Sequence, residues 1–272
     1  MKKVILFLLV LVVFLTGCSG DNLKFGKKLV KVDGMVDILV EIETKNSDVG
    51  VMDSIMAGYY INKEYKDKLM IVPNLTLADE EYGIAARKNG AYTAKMISKT
   101  IIELSKEGKV KELAKKYGLE DSLAIDESVN IDLSDETGKA DFDQIIANKK
   151  LVIGYTIFAP IAYEENNKLI GFDIELAEMV CEKLGIKAEF QIINWDTKLF
   201  ELESGAIDVV WNGMTITDEI KAGASVTIPY LKNKQVAVIR VEDKEKYTST
   251  EDMAKAYICV EKGSAGQLCV EK

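Results

Sequence analysis

Strand-like and helix-like segments alternate along nearly the whole chain, and this alternation narrows the possible folds more than any other feature. Short apolar runs rich in Val and Ile read as strands at 27–32, 48–52, 69–72, 82–86, 151–154, 188–193, 207–211, 235–241 and 256–260. Between them, apolar residues three and four apart read as helices at 35–44, 54–63, 91–107, 110–116, 173–184, 197–203 and 251–255. A further helix opens at Ser264, and Lys115-Lys116-Tyr117-Gly118 reads as a helix stop. Repeated βα units predict an α/β architecture with mainly parallel sheets. The length of 272 residues suits one large domain or two lobes, and 48% apolar residues can fill a core.

Composition removes several classes of function. The chain has no histidine, which excludes a Ser-His-Asp triad, a Cys-His pair and any His-containing metal site. A formal charge of −9 argues against nucleic acid as a partner. Lys supplies almost all the basic residues, and the only arginines are Arg87 and Arg240. No metal or cofactor motif is found, so no catalytic residue, cofactor or metal is assigned.

One acidic stretch interrupts the alternation. Residues 119–143 carry nine acids and a single base, Lys139. Such self-repelling runs are usually solvated and extended, and no calcium-loop spacing occurs within this one. It reads as a linker with a weakly helical end near 141–147.

The N-terminus reads as an export signal. A basic start precedes the apolar run 4–15, which is too short for a bilayer span of about 20 residues. Leu15-Thr16-Gly17-Cys18 follows and resembles the lipobox of bacterial lipoproteins. That resemblance implies loss of residues 1–17, a lipid on Cys18, and tethering to the extracytoplasmic face of the cell membrane. Cys181 reads as a buried small hydrophobe, and a Cys259–Cys269 disulfide is conceivable in an oxidising compartment.

From Leu151 onward the chain resembles the opening half of bacterial amino-acid-type solute-binding proteins, the extracytoplasmic receptors of ABC importers. The resemblance rests on Ile153-Gly154-Tyr155-Thr156-Ile157-Phe158-Ala159-Pro160, on Leu169-Ile170-Gly171-Phe172-Asp173, and on Trp195-Asp196. It continues in Leu202-Glu203-Ser204-Gly205-Ala206-Ile207-Asp208, Trp211-Asn212-Gly213-Met214-Thr215-Ile216-Thr217-Asp218-Glu219 and Pro229-Tyr230. The first half resembles the closing half of the same family, through Asp48-Val49-Gly50-Val51-Met52-Asp53 and Tyr82-Gly83-Ile84-Ala85-Ala86-Arg87-Lys88. Reading 145–272 and then 23–118 gives one receptor in the usual order.

The resemblance therefore implies a two-lobed periplasmic-binding-protein-like fold of type II, circularly permuted, with 119–143 joining the usual termini. Lobe 2 would combine 21–80 with 244–272, and lobe 1 would combine 84–118 with 145–240. Strands crossing near 78–83 and 241–243 would form the hinge. The implied function is capture of a small amino acid or analogue between the lobes, hinge closure, and docking of a monomer on ABC permease transmembrane subunits.

The resemblance also implies site residues. Asp53 would take an α-ammonium; read alone, it is also a helix N-cap. The Gly213 carbonyl and Thr215 hydroxyl would meet the same ammonium. Ser264, in Gly263-Ser264-Ala265-Gly266, would receive a carboxylate at a helix start; a tight turn is the plainer reading. Phe158 and Trp195 would sandwich the ligand, although either ring alone could be core. Where the family pattern places an arginine clamp for the α-carboxylate, this chain has Ile220. Tyr155 stands where cation-specific members carry aspartate, so a neutral or weakly polar ligand is expected.

Rival readings follow from the same residues. A sensing or non-transport scaffold lipoprotein on this fold would explain Ile220, and a gene fragment straddling two receptor copies would explain the order of the halves. An enzyme would need Asp53, Glu219 or Lys262 as its acid or base, and no carboxylate spacing demands one.

Overall fold

The computed structural model describes residues 22–271; the signal segment 1–17 and Cys18 lie outside them. In chain order the described residues form β1 (Lys28–Val32), α1 (Met35–Glu43), β2 (Val49–Asp53), α2 (Ser54–Lys63), β3 (Leu69–Arg87), α3 (Ala91–Lys106), α4 (Lys109–Tyr117) and α5 (Lys139–Asn148). There follow β4 (Lys150–Tyr155), β5 (Tyr163–Glu165), β6 (Lys168–Ile170), α6 (Phe172–Leu184), β7 (Lys187–Ile192), α7 (Lys198–Glu203) and β8 (Val209–Thr215). The chain ends with α8 (Asp218–Gly223), β9 (Ala224–Val226), β10 (Leu231–Arg240), β11 (Tyr257–Glu261) and α9 (Ala265–Val270).

The strands make one path in the order β1-β11-β2-β10-β3-β8-β4-β7, with β9 beside β3 and β5-β6 a separate hairpin. At one end β11 lies between β1 and β2, parallel to both. At the other end β4 lies between β7 and β8, again parallel to both. The antiparallel strand β10 pairs along its whole length with residues 69–82 of β3, Leu69 opposite Arg240 and Tyr82 opposite Leu231. Each serves both ends: β10 also pairs β2 through 235–238, and β3 also pairs β8 through 82–86. Two repeats of one strand order on a shared pair of long strands make this the two-lobed type II architecture.

The central strands are apolar because helices cover them on both faces. On α1, Ile38, Leu39 and Ile42 are fully buried, each contributing about 1.5–3 kcal/mol of hydrophobic stabilisation. On α6, Phe172, Leu176, Ala177, Val180 and Cys181 recur at helical spacing on the buried face. The helix ends at Gly185, whose φ of 72° suits the left-handed cap.

Strands expected separately at 69–72 and 82–86 are one 19-residue strand. In its pairing with β10, 76–82 face 231–236, with register shifts beside Val236. Residues 241–243, expected to cross, form a 3-10 turn beyond the end of β10. The strand continues to Arg240 because Val236, Ala237, Val238 and Ile239 are buried beside β2 and β3.

The acidic stretch 119–143, expected to be extended and free, lies on the surface. Leu123 forms a bridge with Leu231, and the Tyr92 N–H donates to the Thr137 carbonyl at 3.0 Å. Asp126, Asp132 and Asp135 each accept a backbone N–H two residues ahead, the Asx-turn geometry of polar loops. Lys95 meets Asp135 at 3.1 Å and Arg87 meets Asp141 at 2.8 Å. Local turns and basic neighbours absorb the repulsion that composition alone implies.

Cys181, Cys259 and Cys269 are free thiols. Cys259 joins the core beneath α1 while Cys269 packs against the opposite cluster, so the sheet separates them.

Candidate functional site

A cavity of about 280 Å³ lies beside the shared strands and is lined from both ends of the sheet. All six ligand-binding residues expected from sequence border it: Asp53, Phe158, Trp195, Gly213, Thr215 and Ser264. They come from segments up to 211 residues apart, Asp53 to Ser264, which the sheet order brings together.

Asp53 closes β2 directly before α2, in the N-cap position, yet its side chain caps nothing. Asn233 does that work: its Oδ1 accepts from Ser54 Oγ at 2.9 Å and from the Ile55 N–H at 3.3 Å. The Asn233 Nδ2 donates to Asp53 Oδ1 at 2.7 Å and to Glu80 Oε2 at 2.9 Å. Gln235 Nε2 donates to the same two oxygens. Two carboxylates thus share two amide donors. Burial, followed by the charge of Glu80, pushes the Asp53 carboxyl well above its ordinary range. Burial also raises Glu80, opposed by bonds from Gln235 and Asn233.

Gly213 must be glycine. Its φ is +57°, and a Cβ there would sit 2.5 Å from Phe158 Cε1 and 3.1 Å from Tyr82 Cε2. Its N–H donates to Asp173 Oδ2 at 2.7 Å, and Tyr230 donates to the same oxygen at 2.7 Å. Burial pushes Asp173 up to about 7, against the pull of these two bonds. Phe158 in turn packs edge-on to Tyr82. Ser264 Oγ accepts from the Gln267 N–H at 3.2 Å and donates to the Glu261 carbonyl at 2.8 Å, which makes it the cap of α9.

Sequence reasoning missed Lys198. Its ammonium donates to the Trp195 carbonyl at 3.1 Å and, across the cleft, to the Gly263 carbonyl at 2.8 Å. It also lies 4.8 Å from the centroid of the Trp195 ring. Burial lowers its pKa while Glu219, Glu261 and Asp196 oppose the shift. Glu261, at the end of β11, is pushed up to about 8 by burial, with Lys198 pulling it down. The two walls touch here: a Cβ on Gly263 would meet Asp196 Cα at 2.9 Å.

Other expectations change. Tyr155 does not border the cavity; it is buried edge-on to Phe190, and Thr156 faces the cavity instead. Successive strand residues face opposite sides, so this one-residue offset removes the ground for a neutral ligand. Ile220 does border the cavity, buried in a cluster with Trp195, Leu202 and Met214. Neither arginine replaces a clamp there. Arg87 binds Asp141, Asp208 and the Ile207 carbonyl. Arg240 binds Asp243 and the carbonyls of Ile42 and Ser47. Of the three acid–base candidates, Asp53 and Glu219 line the cavity, whereas Lys262 pairs with Asp33 at 2.7 Å on the surface. Among the described residues no cluster of His, Cys, Asp or Glu has metal-binding geometry.

Residues 151–266 match the bacterial extracellular solute-binding proteins, family 3. Residues 1–19 match the prokaryotic membrane lipoprotein lipid attachment site. The chain is 31% identical over 105 residues to the probable amino-acid-binding protein YxeM of Bacillus subtilis, covering 39% of each. It is 30% identical over 106 residues to the ABC transporter arginine-binding protein 1 of Escherichia coli, covering 39% of this chain and 42% of that one. A histidine-bound ABC uptake transporter substrate-binding protein from Streptococcus pneumoniae is 39% identical over 30% of this chain and 35% of its own, with a TM-score of 0.30. The matches thus span about two fifths of the length of these curated relatives.

Proposed function

We propose that this chain, whose residues 151–266 match the bacterial extracellular solute-binding proteins, family 3, is the receptor of an ABC importer that captures a small amino-acid-like ligand by hinge closure. It carries a lipoprotein attachment site and is lipid-anchored on the extracytoplasmic side of a membrane; we assign the lipid to Cys18. Among the described residues no helix is long and apolar enough to cross a bilayer.

The observation that carries this reading is the cavity itself. A buried carboxylate from one end of the sheet, Asp53, borders the same space as Phe158, Trp195 and Gly213 from the other end. In the proposed lobe division, β3 and β10 pass from one lobe to the other where 76–82 face 231–236. One lobe combines β1, β2 and β11 with their helices; the other is built on β4, β7 and β8. Closure would bend the pair where its register shifts, beside Val236. Asp53 would take the ligand ammonium with the Gly213 carbonyl and Thr215, and the rings of Phe158 and Trp195 would hold the ligand's body.

The order of the halves supports a circular permutation. Strands far apart in sequence, β1 and β11, pair in parallel, and the Lys24 N–H donates to the Val270 carbonyl at 2.7 Å. α9 therefore leads towards β1 as a crossover helix would, and 119–143 connects α4 to α5 along the surface of the other lobe. A thermal-shift screen of the full chain against amino acids and their analogues tests the function. A concentration-dependent stabilisation by one of them is expected; no response to any small ligand would overturn the reading.

A further inference from the structure

Four carboxylates border the cavity, those of Asp53, Asp196, Glu219 and Glu261, against one ammonium, Lys198, among the described residues. That ammonium is already committed to two backbone carbonyls, one on each wall. The position that would carry an arginine clamp is the buried aliphatic Ile220, and both arginines are held elsewhere. A ligand carboxylate would therefore face four acidic side chains, of which burial raises Asp53 and Glu261, and would meet no uncommitted cation among the described residues. A second observation stands apart from the acids. Asn212 is 2% exposed and borders the cavity; its Nδ2 donates to Thr156 Oγ1 at 2.8 Å, while its Oδ1 has no partner. That oxygen has no surface open to the cavity, so what Asn212 presents to a ligand is its amide edge and backbone rather than a free acceptor, while Phe158 and Trp195 on the same wall offer apolar surface to a methylene chain.

We propose that the ligand is a small aliphatic amine or diamine without an α-carboxylate, the chemical class that remains when an amino acid loses its carboxyl group. One ammonium lies against Asp53, and the second donor group is met by Glu219. Phe158 and Trp195 cover the methylene chain. This rests on the receptor reading above and narrows its ligand.

Isothermal titration of the full chain with matched pairs tests it: putrescine against ornithine, cadaverine against lysine, agmatine against arginine. Each amine is expected to bind at least tenfold more tightly than its amino acid. Equal or tighter binding of the amino acids overturns the proposal while leaving the receptor reading intact. Silence from the amines and from every amino acid screened overturns both. Lys198→Met supplies a second measurement. Because that ammonium serves the two walls, its loss is expected to weaken both members of a pair by the same factor. A selective loss of the amino acid would make Lys198 the missing carboxylate partner and overturn the proposal.

Discussion

The two walls of the cavity are built on opposite principles. The wall formed by the ends of β2 and β11 and the start of α9, backed by β3 and β10, buries its charges: Asp53 and Glu261 at the cavity and Glu80 behind them are all less than a tenth exposed. The facing wall buries mainly apolar groups, Phe158, Trp195, Met214 and Ile220, beside the polar Asn212 and Lys198, and its acids Asp196 and Glu219 stay at the surface. Burying a carboxylate is expensive unless donors or a counter-charge meet it. The first wall offsets this cost only in part, with the two amides of Asn233 and Gln235 shared between two acids. Such a site gains most from an incoming cation. The apolar wall gains from shape and surface, whatever the charge of what it covers.

Asp53→Asn should have the largest effect, because it removes the charged wall's contribution directly. Losing one partner of a buried charge pair costs about 2–5 kcal/mol, so ligand-induced stabilisation should vanish at ligand concentrations that saturate the parent. The unliganded variant should melt no lower than the parent, since Glu80 is freed from its neighbour. An unchanged ligand response would move the ammonium site away from Asp53 and end the contrast between the walls. On the apolar wall, Gly213→Ala forces a Cβ into the Phe158 ring at a positive φ. The expected cost is about 1–3 kcal/mol, or roughly 2–4 °C in Tm per kcal/mol for a chain of this size, with weaker binding of every ligand alike. Ile220→Arg would place charge on the apolar wall and should shift preference about tenfold from amines towards α-amino acids. An unmoved preference would mean that the side chain does not reach the ligand.

The apolar wall was the more legible of the two in the sequence. Phe158, Trp195, Gly213 and Thr215 lie in short local motifs whose spacing survives in the fold. The charged wall was legible only at Asp53. Its partners Glu80, Asn233 and Gln235 lie 27, 180 and 182 residues away, and only the pairing of β2 and β3 with β10 brings them together. The same pairing hid the long strand β3, since Pro73, Asn74 and the acids at 79–81 read locally as a turn. Lys198 escaped notice because one lysine in the first turn of a helix ordinarily points to water; here the contact of the walls encloses it. Tyr155 was assigned to the cavity one residue away from Thr156, and along a strand that is enough to change faces.

Asp173 is the one fully buried carboxylate behind the apolar wall, and it sharpens the comparison because it does not border the cavity. It holds the Gly213 N–H and the Tyr230 hydroxyl, so its charge serves the shape of the wall. Its folded-state pKa of about 7 lies above the unfolded value near 3.8. Between these values the folded state binds more protons than the unfolded state, so this group's contribution to stability is full below about pH 4 and is lost as pH rises through 7. Glu261, raised to about 8, acts with the same sign from the other wall, so a pH scan of the parent alone would mix the two. The difference between parent and Asp173→Asn isolates one of them. The variant's Tm relative to the parent should climb steadily from pH 4 to pH 8, the gentlest effect predicted here, while the amine-over-amino-acid preference stays fixed. A change in that preference would give Asp173 a share in ligand charge recognition and erase the division of labour between the walls.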